Sequence, residues 1–113
     1  MLTIEALNEY GADTKEGIAR CMGMEDFYLQ LVETQLGDAN FAKLEEALDA
    51  GDVHAAFDAA HALKGALGNL ELEPLTKPVT EITERLRGAE GPVDVSDLMP
   101  IYKEELEKLK SLL

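Results

Sequence analysis

Two histidines, His54 and His61, and a lysine, Lys64, lie in one run, DVHAAFDAAHALKGALGNL, over residues 52–70. The spacing H-x-L-K-G puts Lys64 three residues beyond His61, where side chains on a helix are surface neighbours. A neutral imidazole is a nucleophile toward phosphorus, and its ordinary pKa of about 6.5 leaves most of it neutral at neutral pH. A phosphoryl group on the ring would bring negative charge, which an ammonium group nearby can screen. Gly65 and Gly68 follow on the same side of the helix, although each glycine in a helix interior costs about 1 kcal/mol relative to alanine. With no side chain at either position, another molecule can approach the imidazole closely. His54 shares the face, but Phe57 stands at its +3 position and Asp58 at +4. His61 is therefore the candidate nucleophile and Lys64 its phosphate-neighbouring cation.

The histidine helix is expected from Asp52 to about Leu70, roughly 28 Å at ~1.5 Å per residue. At about 100° per residue, Val53, Ala56, Ala60, Leu63, Leu67 and Leu70 form one apolar stripe. His61 lies nearly opposite, among His54, Phe57, Asp58, Lys64, Gly65 and Gly68. An exposed helical histidine taken alone usually has no role, a lone Gly68 reads as a helix end, and a lone Lys64 reads as a solvated charge. Gly65 has no such reading, because helical residues continue beyond it.

Other elements must position this face. Thr3–Tyr10 reads as a short amphipathic helix, capped by Thr3 and stopped at Gly11. A second short piece runs from Thr14 to Met22, ended by Gly23. Glu25–Leu36 carries Phe27, Leu31 and Val32 at helical spacing, and Gly37 stops it. Asp38 can cap the next helix, with Phe41, Leu44 and Leu48 inward. Residues 50–52, AGD, form a turn with Asp52 as N-cap. After ELEP a helix runs from near Pro74 to Arg87, with Leu75, Val79, Ile82 and Leu86 inward. Pro74 suits its first turn, whereas Pro78 either starts the true helix or kinks it. Following the loop GAEGPVDVSD, Ser96 or Asp97 caps a last helix that runs to Leu113. No window alternates with period two. The expected fold is all-α: an antiparallel four-helix bundle with short additional N-terminal helices, one domain over residues 1–113.

Composition narrows the partners. The 113 residues carry 23 acidic against 10 basic side chains, a net charge of −13. Such a surface repels nucleic acid and anionic lipid. One cysteine, Cys21, cannot form an internal disulfide, which points to a reducing compartment. No apolar run approaches the roughly 20 residues of a membrane span, and the N-terminus has no signal-peptide pattern. A cytoplasmic monomer is expected.

The stretch AAHALKGALGNL resembles the signature of the histidine-containing phosphotransfer (HPt) family, a histidine followed by x-L-K-G and a further glycine three residues on. His61, Leu63, Lys64, Gly65, Gly68, Asn69 and Leu70 match it. GIARCMGMEDFYLQLVETQL and FAKLEEALDAGD are similar to the segments that precede the histidine helix in that family, and Leu75 and Ile82 fall where its next helix has apolar residues. Three positions depart from the pattern. Glu71 stands where a small residue, often glycine, is usual, Pro78 where leucine is usual, and Thr83 where glutamate is common. The departures bear on the turn after the histidine helix and on the helix that follows.

The resemblance implies a four-helix bundle that relays phosphoryl groups between receiver-domain aspartates in multi-step two-component signalling, through phosphohistidine at His61. It implies response-regulator receiver domains and a hybrid sensor histidine kinase as partners, with Gly65, Gly68, Phe57, Asp58 and His54 on the docking face. The receiver would bring Mg²⁺ and the acidic pocket; no cofactor is expected on this chain. The sequence has no G-x-x-x-x-G-K loop and no room for an ATP-binding domain, which agrees with the phosphotransfer intermediate that the resemblance implies, and no autonomous kinase activity is expected. Two other readings exist. A helical adaptor could keep the fold without the relay. A metal-binding bundle could use Asp58, His61 and His54, but these come from one helix and point away from the core, whereas dimetal bundles use inward ligands from several helices.

Overall fold

The computed structural model describes residues 1–113, and every regular element in it is helical. Seven helices follow one another: α1 (Ile4–Tyr10), α2 (Thr14–Arg20), α3 (Glu25–Leu36), α4 (Asn40–Ala50), α5 (Val53–Asn69), α6 (Glu73–Leu86) and α7 (Met99–Lys110). None is long and apolar enough to cross a membrane.

Local chemistry sets most of the boundaries. The side chains of Thr3, Asp13 and Asp52 each accept a hydrogen bond at 3.1 Å from the backbone N–H three residues on, satisfying donors that the first helical turn leaves unpaired. Gly51 ends α4 at φ 73°, a left-handed conformation that glycine adopts without steric cost, and Asp52 starts α5 at once.

The histidine-bearing helix α5 packs between α4 and α6, and α6 packs on α7. Phe41 of α4 and Tyr102 of α7 close the ring of four helices, with ring centroids 6.4 Å apart. The Tyr102 hydroxyl donates to the Phe41 carbonyl at 3.4 Å. Helix α6 runs antiparallel to α5, so Thr76 lies beside Gly68, Glu84 beside Lys64 and Arg87 beside Phe57. Ala56, Ala60, Leu63 and Leu67 of α5 are fully buried with Leu44, Leu75, Val79, Ile82 and Leu109. A leucine buried to this degree contributes about 1.5–3 kcal/mol relative to exposure. The core stripe expected for α5 is therefore present; only Val53, at its N-terminal end, is half-buried.

The N-terminal helices are fastened to the far end of α5. Gly17 of α2 lies against the ring of Tyr28, whose hydroxyl donates to the Leu70 carbonyl at 2.8 Å. Arg20 pairs with Glu71 at 2.9 Å, and the Asp13 amide donates to the Glu71 carbonyl at 3.1 Å. These contacts hold the turn after α5.

Several sequence expectations need correction. Helix α2 ends at Arg20, with Cys21 rather than Gly23 following it, and left-handed Met22 and Gly23 make the turn. Phe27 is exposed, and its neighbour Tyr28 fills the core instead, because Gly17 leaves room for that ring. Asp38 accepts from the Asn40 amide at 2.8 Å and from the Gln35 side-chain amide at 2.9 Å, and the N-cap position of α4 is Ala39. Leu48 is only partly buried, and Ala47 takes the inward position. Neither Ser96 nor Asp97 caps α7, which starts after Leu98 without a side-chain cap and ends at Lys110. Asp97 is held instead by Arg85, in a pair of hydrogen bonds at 2.6 and 2.9 Å. Pro78 does not start α6; it sits buried inside a helix that begins at Glu73. Buried Thr83 returns its hydroxyl to the Val79 carbonyl at 2.7 Å, so it needs no partner from another helix.

Candidate functional site

His61 lies in the middle of α5 on the face away from the core, and its side chain is exposed. The ring is not free to point anywhere. It stacks on Phe57, one turn earlier, with ring planes 8° apart and centroids at 5.5 Å. Phe57 is half-buried against the core, so the stack ties the imidazole to the bundle. The guanidinium of Arg87, just past the end of α6, lies 5.2 Å from the Phe57 ring centroid. Such a contact is attractive because the ring face is negative.

Lys64 does not stand as an isolated solvated charge. Its ammonium lies 3.7 Å from Glu84 on α6. The same carboxylate accepts two hydrogen bonds from Arg87, both at 3.2 Å. Those bonds, with Arg87's charge and then Lys64, hold the Glu84 carboxyl below the usual carboxylate range. The imidazole, the phenyl ring, two cations and one carboxylate thus form one surface across α5 and α6.

The two glycines differ. A side-chain carbon at Gly65 would meet nothing within 4 Å, whereas at Gly68 it would touch the Thr76 methyl at 4.0 Å. Gly65 therefore faces open space one turn beyond His61, and no helix packs there. Gly68 lies beside α6, close to the end of α5. Asp58 turns the other way and lines an open cleft of about 490 Å³ between α4 and α5, with Lys43 and Glu46 among its walls. His54 is exposed on the same helix, nearer its start. No group of three or more His, Cys, Asp or Glu side chains is placed to hold a metal ion.

Sequence spacing brought out His61, Lys64, Phe57 and Gly65. It missed Glu84 and Arg87, which come from another helix. Their only sequence signal was the charge pattern TERLRG at the end of α6, which is legible once the register between α5 and α6 is known.

A family model described as the Hpt domain matches residues 26–112, from the first turn of α3 past the end of α7. The chain belongs to the Hpt domain family. No curated protein and no solved structure matches it. Hpt domains serve histidine phosphotransfer in phosphorelays, and their partners there are receiver domains and kinases. Helices α1 and α2 lie outside the matched span, yet Arg20 of α2 and Asp13 at its N-cap hold the turn that ends the histidine helix.

Proposed function

We propose that this protein accepts a phosphoryl group on His61 from a receiver-domain aspartate and passes it to the aspartate of another receiver. The observation that carries this reading is the exposed imidazole, stacked on Phe57, with Lys64 beside it and open space at Gly65.

The chemistry needs little from the chain itself. The lone pair of the unprotonated imidazole nitrogen forms the N–P bond. The P–O bond to the receiver aspartate breaks, and its electron pair leaves on the carboxylate. The second ring nitrogen keeps its proton or yields it to water. The reverse sequence hands the group to the next receiver. Mg²⁺ and an acidic pocket on the receiver would supply the charge stabilisation of the transferring group. The chain contributes an oriented nucleophile, since holding reactants in line lowers the entropic part of the barrier. Lys64 stays near enough to screen the product.

The test is labelling by a phosphorylated receiver and by phosphoramidate. His61→Gln should abolish both, and the phosphate should be acid-labile in the parent protein. His54→Gln should leave labelling largely intact. Equal loss in the two variants overturns the assignment of His61. Lys64→Ala should slow transfer or shorten phosphohistidine lifetime with little change in melting temperature, because exposed ion pairs contribute little to stability.

A further inference from the structure

Glu84 is the feature of this surface that phosphoryl acceptance does not explain. A carboxylate that holds Lys64, the cation three residues beyond a histidine that is to carry a phosphoryl group, competes with the product for that cation. The chain has only 10 basic side chains against a net charge of −13, yet two of the ten converge on this one carboxylate. Lys64 stands three residues beyond His61 on α5, and Arg87 lies over the Phe57 ring on which His61 stacks.

We propose that Glu84 is a positioning residue that holds Lys64 and Arg87 in the resting protein and gives them up to the phosphoryl group on His61. The proposal rests on phosphorylation at His61. The geometry supports an exchange rather than a fixed lock. All three side chains reach solvent, with Lys64 about one-third exposed and Glu84 and Arg87 about half. Ion pairs at such exposure are weak and break readily. A phosphoryl group brings more negative charge than one carboxylate and three acceptor oxygens, so it competes well for an ammonium and a guanidinium. Until then Glu84 holds both cations at one carboxylate, 3.7 Å from Lys64 and 3.2 Å from Arg87. Glu84 touches neither the nucleophile nor the incoming group in this arrangement; it acts through the two cations.

Exchange has a definite sign. Removing the carboxylate removes a competitor for the cations and a repelling charge, so both changes favour phosphohistidine. Glu84→Gln should shift the phosphoryl equilibrium between a phosphorylated receiver and His61 toward His61 by about twofold to fivefold, the range of one exposed ion pair. Glu84→Asp keeps the charge but draws it back from both cations, and should give part of that gain. In a Lys64→Ala/Arg87→Ala background, Glu84→Gln should give at most a residual change. A second readout is the Arg87 side-chain N–H signal in nuclear magnetic resonance. In the parent protein it should move when phosphoramidate loads His61, and in Glu84→Gln it should already be displaced before loading.

An unchanged equilibrium in Glu84→Gln, or an equal gain in the background without the cations, overturns the exchange. So does an Arg87 signal that does not respond to loading. If phosphoramidate and phosphorylated receiver both fail to label the parent protein, the reading of His61 falls and the exchange falls with it. Normal labelling with no Glu84 effect removes only the exchange.

Discussion

The rings of His61 and Phe57 lie parallel at 5.5 Å, one helical turn apart, with Phe57 anchored in the core edge and His61 at the surface. The stack covers one face of the imidazole, while the residue as a whole stays exposed. The orientation of the nucleophile therefore depends on an aromatic residue that carries no chemistry of its own.

Phe57→Leu should keep most of the apolar packing while removing both the stack and the platform for Arg87. Transfer from a phosphorylated receiver should fall about threefold to tenfold through loss of orientation. Stability should change by less than about 1.5 kcal/mol, as for other volume-conserving swaps. Transfer kinetics together with thermal melting check this. A normal transfer rate would mean that the stack does not orient the ring.

Gly65 and Gly17 should respond oppositely to the same substitution. Gly65 faces open space within α5, so Gly65→Ala should gain up to about 1 kcal/mol of helix propensity. Gly65→Leu should still fold, yet transfer from the receiver should fall steeply while labelling by phosphoramidate persists. Gly17 lies in contact with the Tyr28 ring, and an added methyl has no room there. Gly17→Ala should therefore destabilise by about 1–3 kcal/mol, typical of overpacking. Denaturant midpoints rank the variants, and a stabilised Gly17→Ala would show that Tyr28 moves aside freely.

Alkaline pH should loosen the bundle. Burial pushes the Tyr28 hydroxyl up to about 12 from its ordinary 10, and it raises Tyr10 and Tyr102 as well, with Glu105 and Glu45 adding to the effect. In the unfolded chain these groups lose their protons at lower pH than in the native state, so stability falls as pH rises. The contribution of Tyr28 is complete below pH 10 and is lost between about 10 and about 12. Tyr28→Phe should flatten that part of the curve. At neutral pH it should cost about 1–3 kcal/mol, because the buried Leu70 carbonyl loses its donor. Melting temperatures across this pH range, parent against variant, decide it.

The face of α5 was legible in the sequence because core and surface residues separate cleanly at the helical period and because Asp52 and Gly51 mark the start. The open space at Gly65 followed from the same wheel. What the period could not settle was the choice between adjacent aromatics. Phe27 and Tyr28 differ by only about 100° around α3, and a glycine on α2 decides which one enters the core. Nor could spacing within one helix reveal that Lys64 has a partner. Glu84 and Arg87 reach the site only through the antiparallel register of α6 against α5, a long-range relationship that single-helix patterning does not contain. The missing side-chain cap on α7 has a similar origin. Asp97, the expected cap, is drawn away by Arg85.

Glu71 tests how the turn after the histidine helix is held. Its φ of 59° is left-handed, where glycine is at ease and other residues are strained. The strain persists because the turn is fixed on both sides. The Asp13 amide bonds the Glu71 carbonyl, and Arg20 pairs with the Glu71 side chain. Glu71→Ala removes the ion pair and keeps the strain, so it should destabilise. Glu71→Gly removes the same ion pair and releases the strain. It should therefore be more stable than Glu71→Ala by about 1 kcal/mol, although both lose the contact with Arg20. Arg20→Gln deletes the ion pair from its other side together with the contacts of Arg20 to Glu16 and Asn69, so its loss should equal or exceed the ion-pair share of the Glu71→Ala loss. Denaturant unfolding of the three variants separates the contributions. Equal stability of Glu71→Ala and Glu71→Gly would mean that the left-handed turn carries no strain and that Arg20 alone accounts for the acidic residue at this position.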